Sequence, residues 1–289
     1  MNLREIILAA EKNKVAIGHF NISDLVMLKA IFESAKELNQ PIIIGTSEGE
    51  REFIDPHEAV AMVKAFREEF NYPIYLNADH THSLEKVKEA VLAGYDAILF
   101  DGSKLPFEEN IRQTKEVVEF VKNANPEIMV EGELGFIGSG SEILKEIPEG
   151  VAINPEDLTK PEEAERFVKE TGVHMLAPAV GNLHGMLANA QEPKLDIARI
   201  VAIKNAVKIP LVLHGGSGNS EEDFLNAIRA GVSVIHISTE IRLAWKKGME
   251  EGLKNSGEEV APYKIYPEAM RAIGEVVKAR LRLFGNSGS

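Results

Sequence analysis

The feature that most constrains the fold of this chain is the alternation, from end to end, of short apolar segments with amphipathic ones. Eight segments have the pattern of strands: 15–20, 41–46, 74–80, 97–103, 128–135, 174–180, 211–217 and 233–239. A short branched apolar run bounded by turn residues is typical of a buried strand. Because strands that alternate with helical patterns form parallel sheets, we expect an α/β protein.

The segments between the strands predict helices that cover this sheet. In residues 22–38 the apolar side chains recur with a period near 3.6, and capping residues such as Asp24 and Ser220 precede several of these segments. Eight such units without a linker favour a single (β/α)8 TIM barrel over residues 1–289, with an open doubly wound sheet as the alternative. One long connection, at about 136–159, follows the fifth strand and is predicted to be an active-site loop.

Composition and charge limit the classes of partner. The formal net charge is −13, which argues against nucleic acid and anionic membranes, since both require a basic face. It does not exclude an anionic small molecule. The chain has no cysteine, which excludes disulfides and thiolate ligands. Residues 1–14 mix charges with apolar residues and lack the pattern of a signal peptide, so we expect a cytoplasmic location.

Polar side chains end every predicted strand. They are His19, Asn21, Thr46, Ser47, Asn77, Asp79, His80, Asp101, Ser103, Glu131, Glu133, Asn182, His184, His214, Ser217, His236, Ser238 and Thr239. Ionisable groups are costly to bury, so this pattern is unusual for structural strands. In a barrel the carboxyl ends of the strands converge on one mouth, where active sites lie. The pattern predicts an active site there.

Five of the eight histidines belong to this set. Three neutral imidazoles with an open fourth position are the usual catalytic zinc site, so we expect a metal. His82, in the sequence His80-Thr81-His82, is either a further ligand or part of the turn that opens the next helix. Asp79 precedes His80 directly, and its pattern alone allows two roles: it orients a ligand, or it acts as a general acid or base.

The stretch LVLHGGSG, residues 211–218, predicts an anion site. Its strand carries His214 to the mouth, and Gly215 and Gly216 allow a tight turn and close approach to a ligand. Successive backbone N–H groups and the N-terminus of the next helix attract anions. Ser238 and Thr239 end the eighth strand in the same way. Barrels often bind phosphate at the loops after strands seven and eight.

Together these residues resemble a known enzyme family. The motifs GHFNIS, NADHTHS, FDGSKLPFEEN, VEGELG, AVGNLHG, LVLHGGSG and HISTEIR occur in order at strand ends. They are similar to those of the class II, metal-dependent fructose-bisphosphate aldolases, a family that includes tagatose-bisphosphate aldolases. The resemblance implies a (β/α)8 barrel and a carbon–carbon lyase of glycolysis and carbohydrate metabolism. Its expected reaction is the reversible cleavage of fructose 1,6-bisphosphate to dihydroxyacetone phosphate and glyceraldehyde 3-phosphate.

The resemblance also implies roles for individual residues. By motif position, His80, His184 and His214 are expected to bind zinc, and Asp79 to exchange a proton with the C4 hydroxyl. Glu142 is the candidate on the loop for the proton at C3. The acids expected around the metal, some at a second or displaced position, are Asp101, Glu131 and Glu133. The residues expected at the substrate are Asn21, Ser47, Gly185, Gly215, Gly216, Ser217, His236, Ser238 and Thr239. A monovalent cation, Na⁺ or K⁺, and a homodimer or homotetramer are also usual.

Three residues depart from the family pattern. His236 stands where the family usually has an asparagine that contacts the substrate, His19 where it has a small residue, and Leu183 where a small hydroxyl residue is commoner. All three are predicted at the mouth, which we interpret as a variant with an altered substrate. The sequence does not distinguish fructose from tagatose bisphosphate, since the two differ only in configuration at C4.

Three alternatives belong to other classes. A Schiff-base aldolase would need a lysine at a strand end, and only Lys104 is near one. The His-Thr-His sequence also occurs in metal-dependent hydrolases. A sugar-phosphate-binding protein without catalytic activity would bind the ligand without turnover.

Overall fold

The computed structural model describes residues 1–138 and 140–285, in which eight parallel strands close into one barrel. The barrel strands are β1 Ile17–Asn21, β2 Ile42–Thr46, β3 Ile74–Thr81, β4 Ala97–Phe100, β5 Met129–Leu134, β7 Met175–Pro178, β9 Leu211–Leu213 and β10 Val232–Ile237. Their order around the barrel is β1-β10-β9-β7-β5-β4-β3-β2. The closed ring confirms the predicted (β/α)8 barrel and excludes the open sheet.

Helices surround the barrel. They are α1 Leu3–Asn13, α2 Leu25–Leu38, α3 Glu48–Ile54, α4 Pro56–Phe70, α5 Leu84–Ala93, α6 Phe107–Ala124, α7 Pro161–Thr171, α8 Ile197–Val207, α9 Glu221–Ala230, α10 Thr239–Ser256, α11 Pro262–Ile265 and α12 Pro267–Gly285. The side chains of Asp24 and Ser220 cap α2 and α9 as predicted. Among the described residues, no helix combines the length and apolar character needed to cross a membrane.

Five of the predicted strands, 97–103, 128–135, 174–180, 211–217 and 233–239, extend beyond the observed ends of β4, β5, β7, β9 and β10, while β1 and β3 end one residue later than predicted. Residues 214–217 and 238–239 lie in loops or at a helix start, because Gly215 has a φ of +57° and α10 begins at Thr239. The polar residues of these two segments therefore stand just beyond the sheet, whereas others, such as Asp79 and Glu131, lie within their strands.

The long connection at 136–159 contains a short strand that was not predicted. β6, Ile143–Leu144, pairs in parallel with β8, Met186–Leu187. The Met186 N–H donates to the Glu142 carbonyl at 2.9 Å, which ties this connection to the loop after β7. Two-residue strands carry no periodic signal, so sequence patterns do not reveal them. Residue 139 of the predicted loop, and residues 286–289 of the predicted domain, lie outside the described residues.

The base of the barrel, at the amino ends of the strands, is apolar. The helix α1 lies across it, with Ile7 fully buried. The cluster there consists of Leu3, Ile6, Ile7, Ala10, Ile17, Ile43, Tyr75, Ala97, Met129, Met175, Ala177, Val212 and Val234. Each fully buried branched side chain stabilises the fold by about 1.5–3 kcal/mol, so this layer fixes the scaffold on which the opposite end is built.

Candidate active site

A cavity of about 900 Å³ opens at the carboxyl ends of the strands. The predicted residues that line it are Asn21, Ser47, Asp79, His80, Asp101, His184, Gly185, Gly215, Ser217, His236, Ser238 and Thr239. Glu131, Glu133 and His214 are buried next to this set. Gly216 adjoins it, since its N–H donates to the His236 carbonyl at 3.2 Å. The strand-end residues thus converge on one mouth.

A second cavity, about 960 Å³, lies at the base beside α1. Its lining, among the residues that the structure describes, includes no histidine, and its guanidinium, Arg67, already pairs with Asp96 at 2.5 Å. The mouth carries the titratable cluster and is therefore the candidate for chemistry.

Three histidines meet at the mouth with ring nitrogens directed at a common point. The rings of His80, His184 and His214 have centroids 4.7–5.7 Å apart. Each ring offers one nitrogen, and these three atoms lie within 4.8 Å of one another. The buried His184 Nε2 and His214 Nδ1 have no hydrogen-bond partner among the described residues. Because buried polar atoms normally have partners, two such nitrogens beside a third fit a metal ion.

Carboxylates orient two of these rings from behind. His80 Nδ1 lies 2.9 Å from Asp101 Oδ2, and His214 Nε2 lies 2.8 Å from Glu131 Oε1. A carboxylate on the far nitrogen fixes the tautomer and leaves the other nitrogen free to bind a metal.

Glu133 has a different position from the other two acids. It is buried, and its closest approach is 3.5 Å, from Oε2 to His80 Nδ1. Burial first, and then the charge of Asp101, raise the pKa of Glu133 well above its usual value. His80, Asp101 and Glu133 also form a group that could hold a metal ion.

A bulge in β3 lets two consecutive side chains face the mouth. Neighbouring residues of a regular strand point to opposite faces. Here the pairing with β4 slips between Ala78 and Thr81, and His80 adopts a left-handed φ of +42°. Left-handed backbone is costly for a residue with a side chain, so the surroundings must hold it in place. Asp79 and His80 both line the cavity as a result.

The buried Arg51 holds this bulge. One of its nitrogens, Nη1, donates to the Thr46 carbonyl and, at 3.1 Å, to the Asp79 carbonyl. The other, Nη2, donates to Thr81 Oγ1 at 3.0 Å. The guanidinium thereby links the ends of β2 and β3.

Asp79 is buried among donors and cations. Asn21 Nδ2 donates to its Oδ2 at 2.9 Å, and His236 Nδ1 lies 3.5 Å from its Oδ1. Burial alone would raise the pKa of Asp79, but His80 and His236 outweigh it and hold that pKa well below the usual value. The carboxylate is therefore ionised and can accept a proton.

His80 experiences the opposite balance. Burial would lower the pKa of its imidazole, but Asp79 and Asp101 raise it to about 10. A metal ligand must be neutral, so a metal ion at this site would have to displace this proton.

The two unusual histidines stack on each other. His19 and His236 are direct neighbours on β1 and β10, with ring centroids 3.4 Å apart and planes within 3°. Gly45 leaves room for this pair, since a Cβ there would lie 2.2 Å from His19 Cε1. Burial lowers the pKa of both rings, that of His19 to about 4. His19, Asp79 and His236 also form a group that could hold a metal ion. Because the two rings are parallel, however, their lone pairs point side by side rather than at one ion.

The residues of the predicted anion site come together at the ends of β9 and β10. A Cβ at Gly215 would lie 2.3 Å from the Leu183 carbonyl oxygen, so only glycine fits there. Ser238 Oγ is buried without a hydrogen-bond partner in the described parts of the chain. Ser238 and Thr239, at the N-terminus of α10, line the cavity. Unpaired donors at a helix N-terminus suit a phosphate.

Of the two helices that follow these strands, α10 contributes residues such as Thr239 to the cavity lining, and α9 contributes none of the described lining residues. The first turn of α9 carries Glu221, Glu222 and Asp223 and is capped by Ser220. Acidic side chains there favour the helix but repel an anion. The first turn of α10 carries one carboxylate, Glu240, and Arg280 neutralises it at 2.7 Å, so α10 is the better placed of the two helices to favour an anion.

Glu142 lies on the rim. Its side chain is exposed, and its backbone is held by the pairing of β6 with β8. The cavity lining contains the preceding residues Gly140 and Ser141.

Known proteins are similar to this chain over its full length. A family model described as "Fructose-bisphosphate aldolase class-II" matches residues 1–289. The chain belongs to the class II fructose-bisphosphate aldolase family. A fructose-bisphosphate aldolase of Geobacillus stearothermophilus is 37% identical over 291 residues, covering 100% of this chain and 98% of that protein. One from Staphylococcus aureus is 35% identical over 290 residues, covering 99% and 98%.

A solved structure of an aldolase is also similar to this chain. The YdjI aldolase from Escherichia coli K12 superposes with a TM-score of 0.81 at 30% identity, covering 100% of this chain and 98% of that one. The family is metal-dependent, and the three-histidine group could hold a metal ion. Lys104, the candidate for a Schiff base, is exposed and lies over the Phe136 ring, 5.1 Å from its centroid.

Several residues of this aldolase's mouth were missed in the sequence. They are Phe53, Arg242, Trp245 and Lys246, which line the cavity, and Glu50, which is buried in its wall. A signal existed for Glu50, because Ser47-x-x-Glu50 is a capping box, and the box turns its carboxylate back toward the end of β2.

Proposed function

We propose that this aldolase is zinc-dependent and reversibly cleaves a ketose phosphate to dihydroxyacetone phosphate and an aldehyde. The observation that carries the proposal is the convergence of three metal-competent histidines with an ionised, buried Asp79 beside an anion-binding helix end. The names of the relatives favour fructose 1,6-bisphosphate as the substrate, with tagatose 1,6-bisphosphate as the alternative.

The ligands that we propose for the metal are His80 Nε2, His184 Nε2 and His214 Nδ1. The other nitrogen of His80 and of His214 is taken by Asp101 or Glu131. Three imidazoles without a thiolate fit zinc, and they leave a fourth position for the substrate. When bound, zinc would act as a Lewis acid that stabilises negative charge developing on the ketose oxygens.

Asp79 would act as the base. In the cleavage direction it takes the proton of the C4 hydroxyl, the C3–C4 bond breaks, and C4 leaves as the aldehyde carbon. The electron pair stays on the dihydroxyacetone phosphate half, as an enediolate, until C3 is protonated. Asn21 donates to Oδ2 of Asp79 and His236 Nδ1 lies 3.5 Å from its Oδ1, so the carboxylate is oriented before the substrate binds and Oδ1 is available to accept the proton.

We propose Glu142 as the acid that protonates C3. It is exposed on the rim, so the segment at 140–142 would have to carry its side chain inward. The residues that already line the cavity there, Gly140 and Ser141, are small. Closure of a loop over an active site also excludes water from the reaction.

The phosphate on C1 is assigned to the ends of β9 and β10. Ser217, Ser238 and Thr239, with Gly185, Gly215 and Gly216, would surround it, and the N-terminus of α10 adds a favourable field. A monovalent cation, Na⁺ or K⁺, would fit near this anion. We further propose a single barrel domain, with its loop at 136–159 serving the active site, that assembles as a homodimer or homotetramer.

Replacement of one ligand tests this proposal. We expect His214→Ala to lose stoichiometric zinc and the release of triose phosphate from ketose phosphates, since two histidines do not hold the ion in place. His57→Ala is the matched control, because His57 is an exposed histidine on α4. Metal analysis and a coupled assay give both readouts. Full activity of His214→Ala would remove His214 from the ligand set.

A further inference from the structure

We infer that the part of the cavity that holds the aldehyde half of the substrate accepts an uncharged polyol rather than a second phosphate. The inference rests on the proposed aldolase function and narrows its substrate class to ketose 1-phosphates. It depends on the charges and contacts along one arc of the mouth.

The position of this arc follows from the order of strands in the barrel. The anion site lies at β9 and β10, and the three histidines come from β3, β9 and the loop after β7. The remaining part of the lining is formed by the loops after β1 and β2, by the starts of α2 and α3, and by α10, which follows β10, the neighbour of β1 in the barrel. Its residues are Ser23, Asp24, Met27, Ser47, Glu48, Gly49, Glu50, Phe53, Arg242, Trp245 and Lys246.

The arginine in this arc is already paired. Arg242 Nη2 donates to Glu50 Oε1 at 2.7 Å. Glu50 is only 6% exposed, and its other oxygen accepts bonds from Asn21 Nδ2 at 3.0 Å and from the Ser47 N–H at 2.8 Å. The carboxylate is therefore fixed at both oxygens, and it neutralises the guanidinium that a distal phosphate would need.

The other charges in the arc are predominantly negative. Asp24 and Glu48 line it, and Lys246 is the one remaining cation among the described residues of this arc. Because the charges of Glu50 and Arg242 cancel, the arc is left with the two carboxylates of Asp24 and Glu48 and the one exposed ammonium of Lys246. A phosphate dianion placed here would approach like charges without a free bidentate partner, whereas a neutral polyol would meet hydrogen-bond acceptors.

Apolar surface in the same arc also suits a sugar chain. Phe53 is 77% exposed at the rim, and Trp245 and Met27 line the cavity with it. Trp245 Nε1 is buried and has no hydrogen-bond partner within the described residues, so it is available to a hydroxyl group. Aromatic faces pack against the C–H groups of a polyol, and the polar edges bond its hydroxyls.

The inferred reaction needs no further reactant. With a ketohexose 1-phosphate, the C4 hydroxyl proton passes to Asp79 and the C3–C4 bond breaks. The electron pair on C3 then accepts a proton, which yields dihydroxyacetone phosphate. The other product is glyceraldehyde, without a phosphate.

A comparison of two commercial sugars tests the inference with the wild-type, zinc-loaded protein. We expect kcat/KM for fructose 1-phosphate to exceed that for fructose 1,6-bisphosphate by at least about tenfold. A ratio of this size corresponds to the free energy of one favourable charge contact. An equal or higher kcat/KM for the bisphosphate would overturn the inference and leave the aldolase function standing. If neither of these two sugars, nor the C4 epimer of either one, is cleaved, the proposed function itself fails.

The variant Glu50→Gln tests whether the pairing of Glu50 with Arg242 causes the preference for the monophosphate. Its amide oxygen can still accept from Asn21 and Ser47, but its NH₂ group would face Arg242, donor against donor, and release the guanidinium. We expect the ratio of kcat/KM for bisphosphate over monophosphate to rise at least about tenfold. Glu52→Gln is the matched control, since it removes the same charge from an exposed position on the same helix.

An unchanged ratio in Glu50→Gln, or an equal rise in Glu52→Gln, would overturn the role of this ion pair. Thermal denaturation of each variant establishes that it is folded. If Glu50→Gln does not fold, the wild-type ratio alone decides the inference.

Discussion

The two ends of the barrel are built from the same strands and have opposite chemistry. Inward-facing residues near the base, such as Ile17, Tyr75 and Met129, are apolar. Two residues further along each strand, the inward positions hold His19, Asn77 and Glu131 instead. Since side chains of a strand alternate with period two, one face of one strand serves both ends.

This difference shows that one end of the barrel supplies stability and the other end supplies the chemistry. The base removes apolar surface from water and stabilises the fold, while the mouth buries carboxylates and imidazoles, which opposes folding unless they are paired. The mouth also contains the left-handed His80 and unpartnered ring nitrogens. Such costs are tolerated at functional sites because the remaining structure carries the stability.

Replacing one carboxylate at each end of the barrel should give the largest difference in kcat between the two ends. We expect Asp79→Asn to lower kcat by about 10²–10⁴, because the amide cannot accept the C4 proton, while bound zinc is retained. Asp96→Asn, at the base, should leave kcat per folded molecule within about threefold, since Asp96 contacts Arg67 and not the mouth. Unchanged turnover in Asp79→Asn would reassign Asp79 to a structural role.

A core substitution at the base should give the reverse result. We expect Ile7→Ala to lower the free energy of unfolding by about 2–5 kcal/mol, because it leaves a cavity under α1, with kcat per folded molecule unchanged. Leu8→Ala on the same helix is the control: Leu8 is 50% exposed, and Ile7 is fully buried, so its effect should stay within about 0.5 kcal/mol. Urea denaturation measures both, and equal losses would contradict the assignment of α1 as the support of the base.

The smallest effect concerns pH. Burial, and then Arg4 and Lys122, lower the pKa of His174 to about 4, and its Nδ1 accepts the Val130 N–H at 2.9 Å. The unfolded chain therefore binds this proton between pH 6.5 and about 4 while the folded protein does not, so stability falls as pH falls through this window. In His174→Gln this contribution is absent.

The expected difference between the two metal-free proteins is on the order of 1 kcal/mol on going from pH 7 to pH 5, because His174 keeps some contact with solvent. Parallel slopes of unfolding free energy against pH would show that His174 does not contribute.

Most of the barrel and the histidines of the site could be predicted because their signals are local. Apolar runs predict the strands, and the rule that barrel strands end at the mouth brings His80, His184 and His214 together, although they are far apart in sequence. The residues of the predicted anion site come together at the mouth for the same reason.

The remainder depends on contacts between distant segments. The bulge that turns Asp79 and His80 to one side is held by Arg51, and the pairing of Glu50 with Arg242 joins segments 192 residues apart. Periodicity contains no information on such pairs. Which helix end reaches the cavity, that of α10 rather than α9, is likewise set by packing.

The central claim is that the mouth is a metal-dependent aldolase site, and removal and return of the metal test it most directly. The wild-type protein is treated with a chelator, assayed for triose-phosphate release from fructose 1-phosphate and fructose 1,6-bisphosphate, and assayed again after zinc is added. We predict a loss of at least about 100-fold on chelation and recovery with zinc. Undiminished cleavage by protein that metal analysis shows to be free of metal would contradict the account.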